Sequence, residues 1–107
     1  MKTDRELLEL AARAAGLKYC QRGEEMVAIG AANIPLRWNP LADDSDALWL
    51  AVTLRIDIVF FNGFGEVRAE HCDGDYQQCN EDYSDDVHSA TRRAIVRAAA
   101  AIGEAMP

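Results

Sequence analysis

Asn62-Gly63 stands between two runs rich in branched and aromatic residues, 56–61 and 64–70. This is the strongest two-residue hairpin signal a sequence carries, because a tight turn of the required twist needs positive φ at both central positions. A chain with such a hairpin builds an antiparallel sheet. With Phe61 opposite Phe64, Asp57 faces Arg68 and Arg55 faces Glu70 on one side, while Ile58 meets Val67 and Ile56 meets Ala69 on the other. That separation of charged from apolar pairs makes the second face the inner one.

Residues 26–29 read as a further short strand, ended by Gly30-Ala31-Ala32-Asn33, with 34–38 as its hairpin partner. Pro35 has no amide to donate, so that partner belongs at an edge or is irregular. Three helices surround the hairpins. Thr3-Asp4-Arg5-Glu6 is a capping box. Leu7, Leu8, Ala11, Ala14 and Ala15 then form an apolar stripe, and Gly16 supplies the stop. Pro40 holds Asn39 extended, and Asp43, Asp44 and Asp46 crowd the positive end of a second helix. On its wheel Ala47, Leu48, Leu50, Ala51, Val52 and Leu54 cluster, and Trp49 falls opposite, beside Asp46 and Thr53. Ser84 reads as the cap of a last helix, with Asp85 and Asp86 at its positive end. Its core stripe is Val87, Ala90, Thr91, Ala94, Ile95, Ala98, Ala101 and Ile102. The expectation is an α+β fold in a single domain, 1–107, with helix, hairpin, helix, hairpin, helix in order. These patterns leave open whether the helices share one face of the sheet.

The 18 acids outnumber the 11 Lys and Arg, for a net charge of −7. Residues 70–86 hold Glu70, Asp73, Asp75, Glu81, Asp82, Asp85 and Asp86 and no base, so the whole net charge sits there. A partner steered by charge meets the molecule at that stretch, whose residues 72–83 read as a loop. An acidic chain argues against nucleic acid as partner, which calls for Lys and Arg over phosphates. The longest near-apolar run, 47–61, is broken by Thr53, Arg55 and Asp57, so no membrane span is expected. The N-terminal residues read as an amphipathic helix rather than a secretory signal, and three cysteines are an odd number, which points to reduced thiols in a cytoplasm.

His71, Cys72, Cys79 and His88 are metal-ligand types with Asp73 and Asp75 nearby, but six residues separate the cysteines, unlike a zinc knuckle. Asp73-Gly74-Asp75 opens like a calcium loop, yet Gln78 stands where the turn needs Gly. The plain alternative is a solvated loop. Cys72 beside His71 does not make a nucleophile and its base, since neighbours on a strand point to opposite faces and acidic surroundings raise a thiol's pKa. Gly63-Phe64-Gly65 lies in a turn, not before a helix, and there is no Gly-x-Ser-x-Gly, His-Glu-x-x-His or phosphate-loop Lys. No catalytic residue is assigned and no cofactor is implied. Arg92, Arg93 and Arg97 spread over the outer side of the last helix, either as a solvated face or as partners for the acidic stretch of the same or a neighbouring molecule. Trp38 is placed to plug the core. Trp49 is the candidate interface anchor, unless a loop or a further layer covers it.

The segment 38–48, the run Ala90-Thr91-Arg92-Arg93-Ala94-Ile95-Val96-Arg97-Ala98-Ala99-Ala100 and the opening helix over 4–15 resemble a family of small bacteriophage and prophage proteins described as a phage ABA sandwich domain. The likeness covers most of the chain. It implies a three-layer α-β-α arrangement, which with the elements read above makes a compact α-β-α sandwich, its small, mainly antiparallel sheet of two hairpins packed with three helices. It also implies phage or prophage origin, without a catalytic residue to carry over. The resulting expectation is a non-catalytic domain that binds a protein partner or itself through Trp49, Asp73, Asp75, Glu81, Asp82, Arg92, Arg93 and Arg97. The alternative is a metal-dependent domain or enzyme built on His71, Cys72, Cys79 and His88.

Overall fold

The computed structural model describes residues 2–22, 25–29, 35–71, 77–84 and 86–107. Its elements are α1 (Asp4–Ala14), β1 (Lys18–Arg22), β2 (Glu25–Ile29), β3 (Pro35–Arg37), α2 (Asp44–Leu54), β4 (Asp57–Phe61), β5 (Glu66–His71), β6 (Gln77–Asp82) and α3 (Val87–Ala105). Three helices combine with antiparallel strands, an α+β fold, and each expected hairpin is part of a three-stranded meander, β1-β2-β3 or β4-β5-β6. Pro35 opens β3 at the edge of its sheet, where a missing amide is tolerated. The expected turn over 30–33 lies outside the described residues.

Local chemistry sets the helix ends. Thr3 Oγ1 accepts from the Glu6 amide at 3.2 Å, and its hydroxyl donates to Glu6 Oε1 at 3.2 Å. α3 starts later than Ser84 suggests. Asp86 is its cap, accepting from the amides of His88 at 3.0 Å and Ser89 at 3.2 Å, while Ser84 sits in the turn at φ 50°. Asp85 is outside the described residues.

The β4–β5 register differs from the expected one by two residues. Asp57 faces Glu70 and Phe61 faces Glu66. The turn spans four residues, 62–65; the Phe64 amide donates to the Phe61 carbonyl at 3.0 Å, and Gly65, not Gly63, takes the left-handed φ of 63°. A slip of two leaves every side chain on its face, so Val67 and Ala69 still point to the core. The expected cross-strand pairs of Asp57 with Arg68 and Arg55 with Glu70 do not form. Arg68 instead donates to Glu70 at 3.3 Å and to Asn80 at 3.2 Å, and its guanidinium lies 4.7 Å from the Phe61 ring centroid. Arg55 ends α2.

β6 takes up residues 77–82, half of the expected loop, and residues 72–76 fall outside the described residues. Its alternation is disguised by charge. Opposite Ala69 and Val67 stand Cys79, packed against the core, and Glu81, which turns inward because Arg97 at 2.6 Å and Arg93 at 3.7 Å meet its carboxylate.

α3 runs through the middle of the molecule, with α1 and α2 beside it and β5 and β6 against it. Its buried surface is accordingly wider than a single stripe and takes in Val96, Ala99, Ala100 and Gly103, whereas Val87 at its start is exposed. Trp38 is buried as expected, edge-on to Tyr19 with ring centroids 5.6 Å apart. α2 packs chiefly on α3, so a narrow arc of Ala47, Leu50 and Ala51 is covered. Leu48 and Val52, expected in the core, are 61% and 59% exposed.

Candidate interaction surface

The start of α2 is held by a chain of backbone caps. Asn39 Oδ1 accepts from the Leu41 amide at 3.1 Å, Asp43 Oδ1 from the Asp46 amide at 2.9 Å, and Asp46 Oδ2 from the Asn39 amide at 2.9 Å. This seats Asp44 against the first turns of α3. Its carboxylate accepts from Arg92 Nη1 and pairs with His88 Nδ1 at 3.1 Å, and Arg92 Nε donates to the Leu41 carbonyl at 2.9 Å. Hydrogen bonding from Arg92, joined by that from His88 and by both charges, holds the Asp44 carboxyl below the ordinary carboxylate value.

Behind this cluster α2, α3 and β4 leave a groove of about 360 Å³. Ala47, Leu48, Ile58, Phe60, Val87 and Ile95 make it apolar, with Asp44, His88, Thr91 and Arg92 as its polar lining. Asp44, His88 and Arg92 pair with one another and Thr91 Oγ1 donates to the Val87 carbonyl at 2.7 Å, while the apolar part has no counterpart among the described residues. The surface continues outward along α2, where Val52 and Trp49 follow Leu48; Trp49 is 44% exposed, uncovered as its helical position suggests. It also continues onto the exposed Phe60 of β4, an edge strand, whereas Val59, also exposed, lies on the opposite face beside Arg68. A groove of this make-up accepts apolar side chains and supplies no activated nucleophile.

The other expected site residues are dispersed. Arg92 belongs to the Asp44 cluster. Arg93 donates to Asp4 at 2.8 and 3.0 Å, and Arg97 donates to Glu81 and, at 3.1 Å, to the Asn80 carbonyl, so the three arginines pair within the molecule. Asp82 is exposed at the end of β6, while Asp73 and Asp75 lie outside the described residues. Of the metal candidates, His88 contacts Asp44, His71 ends β5, and Cys79 faces the core, where burial, with Glu81 adding, pushes its thiol up against the lowering effect of Arg97. Cys72 is outside the described residues, and among those described no three His, Cys, Asp or Glu side chains gather closely enough to hold a metal ion.

Phe60, Leu48 and Val52 escape a reading based on pattern. For Leu48 and Val52 the signal is the unbroken apolar run 47–52 of α2, wider than one stripe, which marks either full burial or an unpartnered side. No family model matches the chain, and neither the characterised proteins nor the solved structures include one similar enough to argue from. Among the described residues no helix is long and apolar enough to cross a membrane.

Proposed function

We propose that this chain is a non-catalytic protein-interaction domain, an accessory protein of phage or prophage origin, that docks through the outward side of α2 and the adjoining groove. The carrying observation is that Leu48, Trp49 and Val52, three large apolar residues on one short helix, are exposed together. Contiguous apolar surface of this kind marks interaction sites, and Trp is over-represented among their anchors. The phage assignment is supported by the resemblance of the segments over 4–15, 38–48 and 90–100.

A photo-crosslinking amino acid at position 52 tests the reading in cells that make the protein. Discrete adducts are expected, and Trp49→Ala, at a half-exposed site that leaves the fold intact by circular dichroism, lowers their yield roughly tenfold, the effect of losing an interface anchor. Absence of adducts from positions 48, 49 and 52 alike overturns it.

A further inference from the structure

We propose that the partner on this surface is a second copy of the chain, joined edge to edge through β4; this rests on the interaction reading above and names its partner. β4 has a strand on one side only among the described residues, and its five residues pair with β5 without a bulge. Natural edges are blunted by Lys, Pro, bulges or charge. Asp57-Ile58-Val59-Phe60-Phe61 has none of these beyond Asp57 at its first position.

The strand is also complementary to itself. A two-fold axis at Val59 sets Val59 against Val59 of the second copy, Ile58 against Phe60, and Asp57 against Phe61. Ile58 and Phe60 both line the groove, so Phe60 of the second copy extends the apolar floor from outside. On the other face each Asp57 comes to a Phe61 ring that carries the Arg68 guanidinium 4.7 Å from its centroid, so at both ends of the pairing a second carboxylate joins Glu70 near that cation. The opposite edge behaves differently. β6 reads Gln77-Gln78-Cys79-Asn80-Glu81-Asp82, a polar strand with an exposed Asp82 at its end and no branched or aromatic residue, so it offers no matching apolar edge for further growth.

Sedimentation velocity on the full chain between about 1 and about 200 µM tests this, with V59K as the variant, since Val59 is exposed and a Lys there is tolerated by the monomer. The expected result is a concentration-dependent dimer weakened at least about tenfold by V59K. V59C, oxidised mildly, is expected to give a disulfide joining position 59 to position 59, identified by peptide mapping against the unsubstituted chain. A monomer throughout, or a dimer indifferent to V59K, overturns the proposal. If the chain stays monomeric while position 52 still crosslinks to another protein, self-association falls and the interaction reading stands; if neither occurs, both fall.

Discussion

Gly103 decides how closely α1 approaches α3. A Cβ built there stands 2.0 Å from the carbonyl oxygen of Leu10 and 2.8 Å from its carbon. Both are backbone atoms, which cannot rotate aside as a flexible side chain would. Around this contact Ala11, Ala12, Ala99 and Ala100 are buried and keep the seam shallow. Gly103→Ala gains about 1 kcal/mol of helix propensity but overpacks the seam, at a cost of about 1–3 kcal/mol and here toward the upper end. The expected outcome is a net loss of roughly 1–2 kcal/mol, read as a lower urea midpoint at unchanged slope. An equal or higher midpoint would mean that the two helices separate freely. Nothing in the sequence marks this glycine. In an alanine-rich run it reads as a weak helix former, and its reason for being there sits 93 residues away in α1.

The helix ends show the same local device in two versions. α1 closes at Gly16, φ 77°, with the Gly16 amide on the Arg13 carbonyl at 3.2 Å and the Leu17 amide on the Ala12 carbonyl at 2.8 Å. α2 closes identically, Arg55 donating to Val52 at 3.3 Å and Ile56 to Ala51 at 2.9 Å, but the left-handed residue is Arg55, φ 57°. A residue with a Cβ costs about 1 kcal/mol in that conformation. Arg55 makes no side-chain hydrogen bond or ion pair among the described residues, so nothing offsets the strain. Arg55→Gly is therefore expected to raise the unfolding free energy by about 0.5–1 kcal/mol, measured in urea; a loss would show that the Arg side chain holds the turn. This contrast also shows what was legible. Caps and periodicities are local, so the three helices, β2, β3 and the β4–β5 pairing could be read directly. An arginine does not look like a stop, and two glycines flanking Phe64 permit either of two turns, so the end of α2 and the register could not. β6 was hidden because Glu81 points inward toward arginines on α3, a compensation invisible within its own strand.

Across the whole molecule, the candidate surface was half legible. The helical wheel isolates Trp49, but whether Leu48 and Val52 are covered depends on how many neighbours α2 has, which is a property of the assembled fold. Besides the buried Ala47, Leu50 and Ala51, the Asp44 cluster ties that assembly together, joining the first turn of α2, the first turns of α3 and, through Arg92, the Leu41 carbonyl. It makes the helix layer sensitive to acid. Asp44 has a lower pKa folded than unfolded, chiefly through its hydrogen bond from Arg92. As pH falls the unfolded chain takes up this proton first, so acidification favours unfolding. The contribution is fully present above the ordinary carboxylate range and is lost as pH falls through the folded-state pKa of Asp44. Protonation of the other acids also relieves the repulsion of a −7 chain, an opposing effect common to any variant that keeps them. Comparing the natural chain with Asp44→Asn removes that common part. The stability difference between the two, from urea midpoints, is expected near pH 7 and to shrink toward zero by about pH 2–3. An equal difference at both ends would mean that Asp44 holds α2 to α3 through its shape and neutral hydrogen bonding rather than its charge.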